Sequence, residues 1–291
     1  MDHEFVLDRP DGARLQAYRW TSAAAPRAAM IVSHGMGEHA LRYRPALAKL
    51  IDSGVAIYAL DQRGHGATMA LSGRPAGDFG PGGFAAVVDD LAALADRARS
   101  EHPGLPLFLL GHSMGSFISQ AFLIEHARRI DAAILVGTAD VAGLAQSMAN
   151  EADTMAALNR PFEPARTPFD WLSRDEAQVD AYIADPLCGF SLVPDSAVQL
   201  MSQGEKLADA SQLARIPSEL PLYILVGDRD VLISHLSRLD ALVERYRAAG
   251  LRPVVAKYAG ARHEVLNETN RAEVVSELLA WIDQTIGALR A

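Results

Sequence analysis

The sequence predicts an α/β protein, with a mostly parallel central sheet, helices on both of its faces and one inserted helical stretch. Three observations lead to this class. Short, nearly continuous apolar runs recur along the 291 residues without the polar alternation of a half-exposed strand, as strands buried on both faces require. Segments with helical spacing of apolar residues separate these runs, and parallel neighbours need such crossovers. Between residue 139 and about 218, no strand pattern occurs at all.

Taken in order, Phe5 to Asp8 and Arg14 to Trp20 alternate apolar and polar residues around Asp11-Gly12, the pattern of a hairpin. Ala28 to Ser33 is the first buried strand and ends in a Gly-rich loop. Leu41 to Ser53 reads as a helix closed by Gly54, and Val55 to Leu60 as the next strand. Residues 67 to 83 are rich in Gly and Pro and are expected to be loop. Phe84 to Glu101 is helical, with Val87, Leu91, Leu94 and Ala98 on one face. Leu105 to Leu110, Ala132 to Val136, Leu222 to Val226 and Val254 to Tyr258 complete the strands. Ser116 to His126, Leu236 to Ala249 and Glu264 to Leu289 read as helices. The expected division is a core of residues 1–138 and 219–291, with residues 139–218 as a helical cap. The cap carries an amphipathic stripe of Val141, Leu144, Met148, Met155 and Leu158.

Composition narrows the possible partners. The net charge is −9 and no basic run appears, so nucleic acid and strongly anionic membrane surfaces are not expected partners. Cys188 is the single cysteine, which rules out an intrachain disulfide and suits a reducing compartment. The first residues lack a basic start and apolar core, and no apolar run reaches membrane-span length. The expectation is a cytoplasmic protein with no integral membrane segment, capable of transient lipid contact; oligomeric state stays open. No His, Cys or Asp group has metal-ligand spacing along the chain, and neither a metal nor an organic cofactor is expected.

The chemistry is concentrated in Gly111-His112-Ser113-Met114-Gly115, a G-x-S-x-G element between an apolar strand and a helix. A strand that turns straight into a helix strains the serine backbone, lifts its hydroxyl off the sheet and aims helix N-terminal N–H groups at an incoming anion. Ser113 is the candidate nucleophile of a serine hydrolase. It needs a base, and the base needs an orienting carboxylate, in the chain order Ser, Asp or Glu, His. His263 follows the last strand at the edge where the serine emerges and is the candidate base. Gly227-Asp228-Arg229-Asp230 follows the preceding strand and offers two carboxylates that geometry does not separate from sequence alone. The backbone N–H groups of Met36 and Met114 are the candidate oxyanion donors, and His34 is expected to brace the first donor's loop. Met148, Met155 and Met201 could equally line an adaptable acyl pocket or be ordinary cap core.

His34-Gly-Met-Gly-Glu-His39, Asp61-Gln-Arg-Gly-His-Gly66, the serine element, Gly227-x-x-Asp230 and Arg262-His-Glu-Val-Leu-Asn-Glu268 together resemble the monoacylglycerol lipase and lysophospholipase branch of the α/β-hydrolases. The resemblance spans nearly the whole chain and includes Asp185-Pro-Leu-Cys-Gly-Phe190 in the insertion. It implies the α/β-hydrolase fold, a helical cap over an acyl-chain site, and Asp230 as the acid. It implies hydrolysis of a monoglyceride, lysophospholipid or small carboxylic ester through an acyl-enzyme. An amide or peptide hydrolase of the same fold is the main alternative, and a non-catalytic binding protein is a lesser one. From Asp140 to Glu219 the chain holds thirteen Asp and Glu against five Lys and Arg. These acids either repel anionic substrates at an entrance or solvate outer helix faces, and the second reading is the simpler.

Overall fold

Eight strands form one sheet in the computed structural model, which describes residues 1–148 and 154–290 and, for Thr154 and Met155, only the backbone. The strands are β1 (Asp2–Asp8), β2 (Arg14–Trp20), β3 (Ala28–Ser33), β4 (Val55–Leu60), β5 (Leu107–His112), β6 (Ala132–Val136), β7 (Leu222–Gly227) and β8 (Val254–Tyr258). Their spatial order is β1-β2-β4-β3-β5-β6-β7-β8. The β1–β2 hairpin turns at Gly12, which takes φ 83°, and β2 joins β4 antiparallel; every later pairing is parallel.

Why the central strands read as unbroken apolar runs is visible in β5. Leu107 and Leu109 enter the core on one face of the sheet, Phe108 and Leu110 the core on the other. Both faces bury apolar side chains, so no polar alternation survives. The helices Gly83–Glu101, Met114–His126 and Ser237–Ala248 contribute to the first core, and Arg271–Arg290 covers the second.

Three elements depart from the pattern expected along the chain. The helix expected over Leu41 to Ser53 is a 3-10 turn, Ala40–Arg42, followed by the short helices Tyr43–Ala46 and Ala48–Asp52. Pro45 has no N–H to donate back to Leu41, so the turns do not merge. The Gly- and Pro-rich stretch 67–83 includes a short helix, Thr68–Ser72, ended by Gly73 at φ 65°. The helix expected to start at Glu264 starts at Arg271. Before it, the fully buried Glu268 turns inward and accepts hydrogen bonds from the N–H groups of Arg174, Arg262 and Thr269.

Between β6 and β7 the described residues form helices and connecting loops only. Val141 and Leu144 are buried, and Met148, Leu158 and Met201 pack against the first core. Trp171, Leu172 and Tyr182 form a small apolar cluster of their own. The acids here serve local structure: Asp175 and Asp209 cap helices, and Asp180 pairs with Arg166.

Candidate active site

Parallel strands bring their C-terminal ends to one edge, and four loops meet there. Register places Ser33 beside Gly111, His112 beside Val136 and Gly227 beside Tyr258. The loops after β3, β5, β7 and β8 carry Met36, Ser113, Asp230 and His263.

Ser113 sits at φ 53° and ψ −123°, a conformation strained for a residue with a Cβ. Its N–H donates to the Val136 carbonyl at 3.0 Å, and its carbonyl receives the Ser116 and Phe117 N–H groups that begin the next helix. Gly111 and Gly115 make this turn possible by lacking bulk. A Cβ on Gly115 would lie 2.0 Å from the Ser33 oxygen, and one on Gly111 would lie 2.2 Å from Ser119 Oγ.

His263 is 1 % exposed, and its Nδ1 is 2.9 Å from Asp230 Oδ2. The carboxylate makes Nδ1 the donor and leaves Nε2, which is buried without a hydrogen-bond partner, as the basic atom. Asp230 is held in turn by the Leu232 N–H on its other oxygen, at 2.9 Å. Burial disfavours the charged imidazole, but the adjoining Asp230 carboxylate outweighs it and lifts the His263 pKa above its ordinary value. Asp228, the alternative carboxylate, instead accepts the Gly260 N–H at 2.7 Å and ties its loop to the one after β8.

The loop carrying Met36 is pinned on both sides of that residue. Gly35 donates its N–H to Glu38 Oε1 at 2.6 Å, and the Gly37 carbonyl receives the Tyr182 hydroxyl at 2.8 Å and the Gly189 N–H at 2.9 Å. His34 braces the same loop, donating from Nδ1 to the Gly35 carbonyl and accepting the Gln62 N–H at Nε2. Burial pushes its pKa down to about 4, so it stays a neutral strut.

Beneath these loops lies an ion cluster that sequence reasoning missed. Arg42 pairs with Glu264 through two contacts of 2.8 Å and also with Glu38. Glu38 further receives the Tyr43 hydroxyl at 2.7 Å and faces His112 Nδ1 at 3.2 Å. Burial alone would raise both glutamate pKa values, but the Arg42 guanidinium outweighs it and holds both below the ordinary carboxylate range. One arginine thus ties the Met36 loop to the residue after His263. The adjacency of Glu38 and Glu264 to motif residues was the available signal. Trp171, whose ring centroid lies 5.0 Å from that of His263, had none.

Ser113, His263, His112, Trp171, Tyr182 and Phe190 border a small cavity of about 30 Å³. A larger one, about 270 Å³, lies between the insertion and the acid loop, lined by Leu144, Met148, Leu158, Phe162, Asp230 and Val231 among others. Met148 therefore faces a cavity; the Met155 side chain lies outside the described residues. His39, Asp185 and Cys188, far apart in sequence, come together with possible ligand atoms within 4.8 Å of one another, a grouping that spacing did not reveal. His39 Nε2 and Asp185 Oδ2 bind each other at 2.9 Å and join the insertion to the Met36 loop.

The strained serine turn and the convergence of four loops at one edge of this sheet define an α/β-hydrolase. The family model for "Serine aminopeptidase, S33" matches residues 24–270, and the chain belongs to that family. Among curated proteins it is 31 % identical to a monoacylglycerol lipase of Mycolicibacterium smegmatis, over 93 % of each chain. It is 27 % identical to human monoglyceride lipase, over 96 % of this chain and 89 % of that one. Among solved structures, a thermostable carboxyl esterase from Bacillus coagulans in complex with glycerol superposes with a TM-score of 0.87 at 27 % identity, over 98 % of this chain and 99 % of that one.

Proposed function

We propose that this chain hydrolyses carboxylic esters through an acyl-enzyme formed on Ser113, with a monoacylglycerol as the preferred substrate. The observation that carries the reading is the disposition of His263, whose Nδ1 is bound to Asp230, whose Nε2 has no partner among the described residues, and which lines the same cavity as Ser113. The substrate class rests on the monoacylglycerol lipases and the esterase to which the chain is similar.

In the first half-reaction His263 Nε2 takes the Ser113 proton as Oγ adds to the ester carbonyl. Asp230 keeps Nδ1 protonated and stabilises the imidazolium without taking a proton itself. The N–H groups of Met36 and Met114 hold the carbonyl oxygen as it becomes negative. The C–O bond to the alcohol then breaks, and His263 returns its proton to the departing oxygen. In the second half-reaction water replaces the alcohol, His263 again serves as base, and the fatty acid leaves. Residues 139–218 act as a cap that shapes the acyl site, and the 270 Å³ cavity bordered by Met148 and Asp230 is the space offered to the chain.

An ester is favoured over a peptide by the state of the nearby acids. A free terminal ammonium needs a carboxylate to receive it, and the two glutamates bordering the catalytic cavity, Glu38 and Glu264, are both engaged by Arg42. The test compares hydrolysis of monoacylglycerols and p-nitrophenyl esters of rising chain length with that of aminoacyl amides, alongside fluorophosphonate labelling of the wild type and Ser113→Ala. Ester turnover with labelling lost in the variant is expected; amide turnover without ester turnover would refute the reading.

A further inference from the structure

Beside the catalytic pair the structure leaves a donor with nothing to bind. Trp171 is 6 % exposed, and its Nε1–H has no hydrogen-bond partner among the described residues. An indole N–H is a donor only, so no rearrangement of its own proton can satisfy it. The residue is otherwise firmly placed. Its backbone N–H donates to Asn159 Oδ1 at 2.9 Å, its carbonyl receives the His263 N–H at 3.4 Å, and the next carbonyl, of Leu172, receives the Glu264 N–H at 2.8 Å. The ring therefore belongs to the frame of the catalytic histidine.

Its position selects one part of the substrate. His263 Nε2 hands its proton to the departing alcohol oxygen, so a group packed against the His263 ring lies on the alcohol side of the reacting carbon. The indole N–H is already closed off from solvent, so an alkyl leaving group there leaves it unpaired and gains nothing from it. A leaving group with a hydroxyl of its own would accept that hydrogen bond. Of the other side chains on this wall, the Tyr182 hydroxyl is already spent on the Gly37 carbonyl, and His112 has Nδ1 turned to Glu38. A cavity of about 30 Å³ has room for one such oxygen-bearing group.

We propose that the Trp171 indole N–H is the specificity donor for a hydroxyl on the leaving alcohol, which makes this enzyme selective for esters of polyols over esters of simple alkanols with the same acyl chain. The inference rests on the ester-hydrolase reading above and adds the basis of alcohol selection.

The experiment measures kcat/KM for glyceryl 1-butyrate, its two monodeoxy analogues (the 1,2- and 1,3-propanediol monobutyrates) and propyl butyrate, with wild type and Trp171→Phe. Phenylalanine keeps an aromatic ring against His263 and removes the donor. The wild type should prefer the glyceryl ester over propyl butyrate by about 10-fold, the size of one buried hydrogen bond, and deletion of one particular hydroxyl should account for most of it. In Trp171→Phe the ratio of glyceryl to propyl butyrate kcat/KM should fall to about one, so the glyceryl ester loses about 10-fold more than the propyl ester. An equal loss on all esters would assign the indole only to the placement of His263 and overturn the proposal. So would a wild type with no preference among the four esters, a result that needs no variant. A wild type that hydrolyses none of them would instead defeat the ester-hydrolase reading itself.

Discussion

His263 is paired with Asp230 through one ring nitrogen, and the other is without a hydrogen-bond partner among the described residues. Asp230 takes Nδ1, so the proton traffic is left to Nε2. Ser113→Ala should keep the fold and lose ester hydrolysis by roughly 10³-fold or more, measured as kcat/KM on a short p-nitrophenyl ester. Asp230→Asn should cost far more than Asp228→Asn, on the order of 10⁴-fold in the comparable protease case, because the amide leaves His263 in the wrong tautomer. The reverse ranking would show that the acid is misassigned. The same pair sets the pH response. The reaction needs neutral His263, and Asp230 lifts its pKa above the ordinary 6.5 against the opposing effect of burial. In the wild type kcat/KM should therefore rise with pH through a midpoint above 6.5. In Asp230→Asn only burial is left, so the residual activity should titrate at lower pH. A midpoint unmoved by the substitution would contradict the electrostatic coupling of the two residues.

At the scale of elements, an ion cluster ties two of the site's loops to each other. Arg42 pairs with both Glu38 and Glu264. Arg42→Met should leave two buried carboxylates uncompensated and cost about 3–5 kcal/mol in urea unfolding at neutral pH. The sign of the pH dependence follows from linkage. Both glutamates have depressed pKa values when folded, so their contribution is present above the unfolded value of 4.5 and is lost as pH falls through the folded values. Without Arg42, burial raises both pKa values, and protonation on acidification relieves the variant. The gap between wild type and variant should begin to narrow above pH 4.5, as the variant's raised glutamates take up protons, and go on narrowing as pH falls through the lowered wild-type values; a gap constant from pH 7 to pH 4 would argue against the cluster as the source. These elements also show what was readable in advance. The strands β3 to β7 were legible because both of their faces are buried, which leaves unbroken apolar runs. Ser113 and His263 were legible because a strained turn and a fixed chain order demand particular residue types. Asp230 was separable from Asp228 only by resemblance, since the choice depends on the Gly260 N–H capturing one carboxylate across a turn. Arg42 and Trp171 act through partners 222 and 92 positions away, and local pattern carries no trace of such pairings. The break at Glu268 was hidden for the same reason.

Across the whole molecule the insertion divides into a part tied to the His263 loop and a part that borders the larger cavity. Residues 170–174 are stitched to the His263 loop: Trp171 and Leu172 accept its backbone N–H groups, Arg262 donates to the Asp170 and Ser173 carbonyls, and Arg174 pairs with Glu268. Displacing this stretch would displace the base. The helix Val141–Met148 has no such tie to His263. Its buried face, Val141 and Leu144, joins the core, while Met148 is only partly buried and borders the larger cavity with Leu158 and Phe162. Chain-length preference should therefore reside here, apart from the chemistry. Met148→Trp should fill part of the 270 Å³ cavity and remove the outermost contacts of a long acyl chain. Each buried methylene is worth about 0.8 kcal/mol, so the loss of two or three should lower kcat/KM for long-chain monoacylglycerols by roughly 15- to 60-fold. Acetate and butyrate esters, which do not reach that far, should be turned over at near wild-type rates. A chain-length profile measured from C2 to C16 that shifts uniformly, or not at all, would place the acyl site elsewhere and make Met148 ordinary packing at the edge of the core.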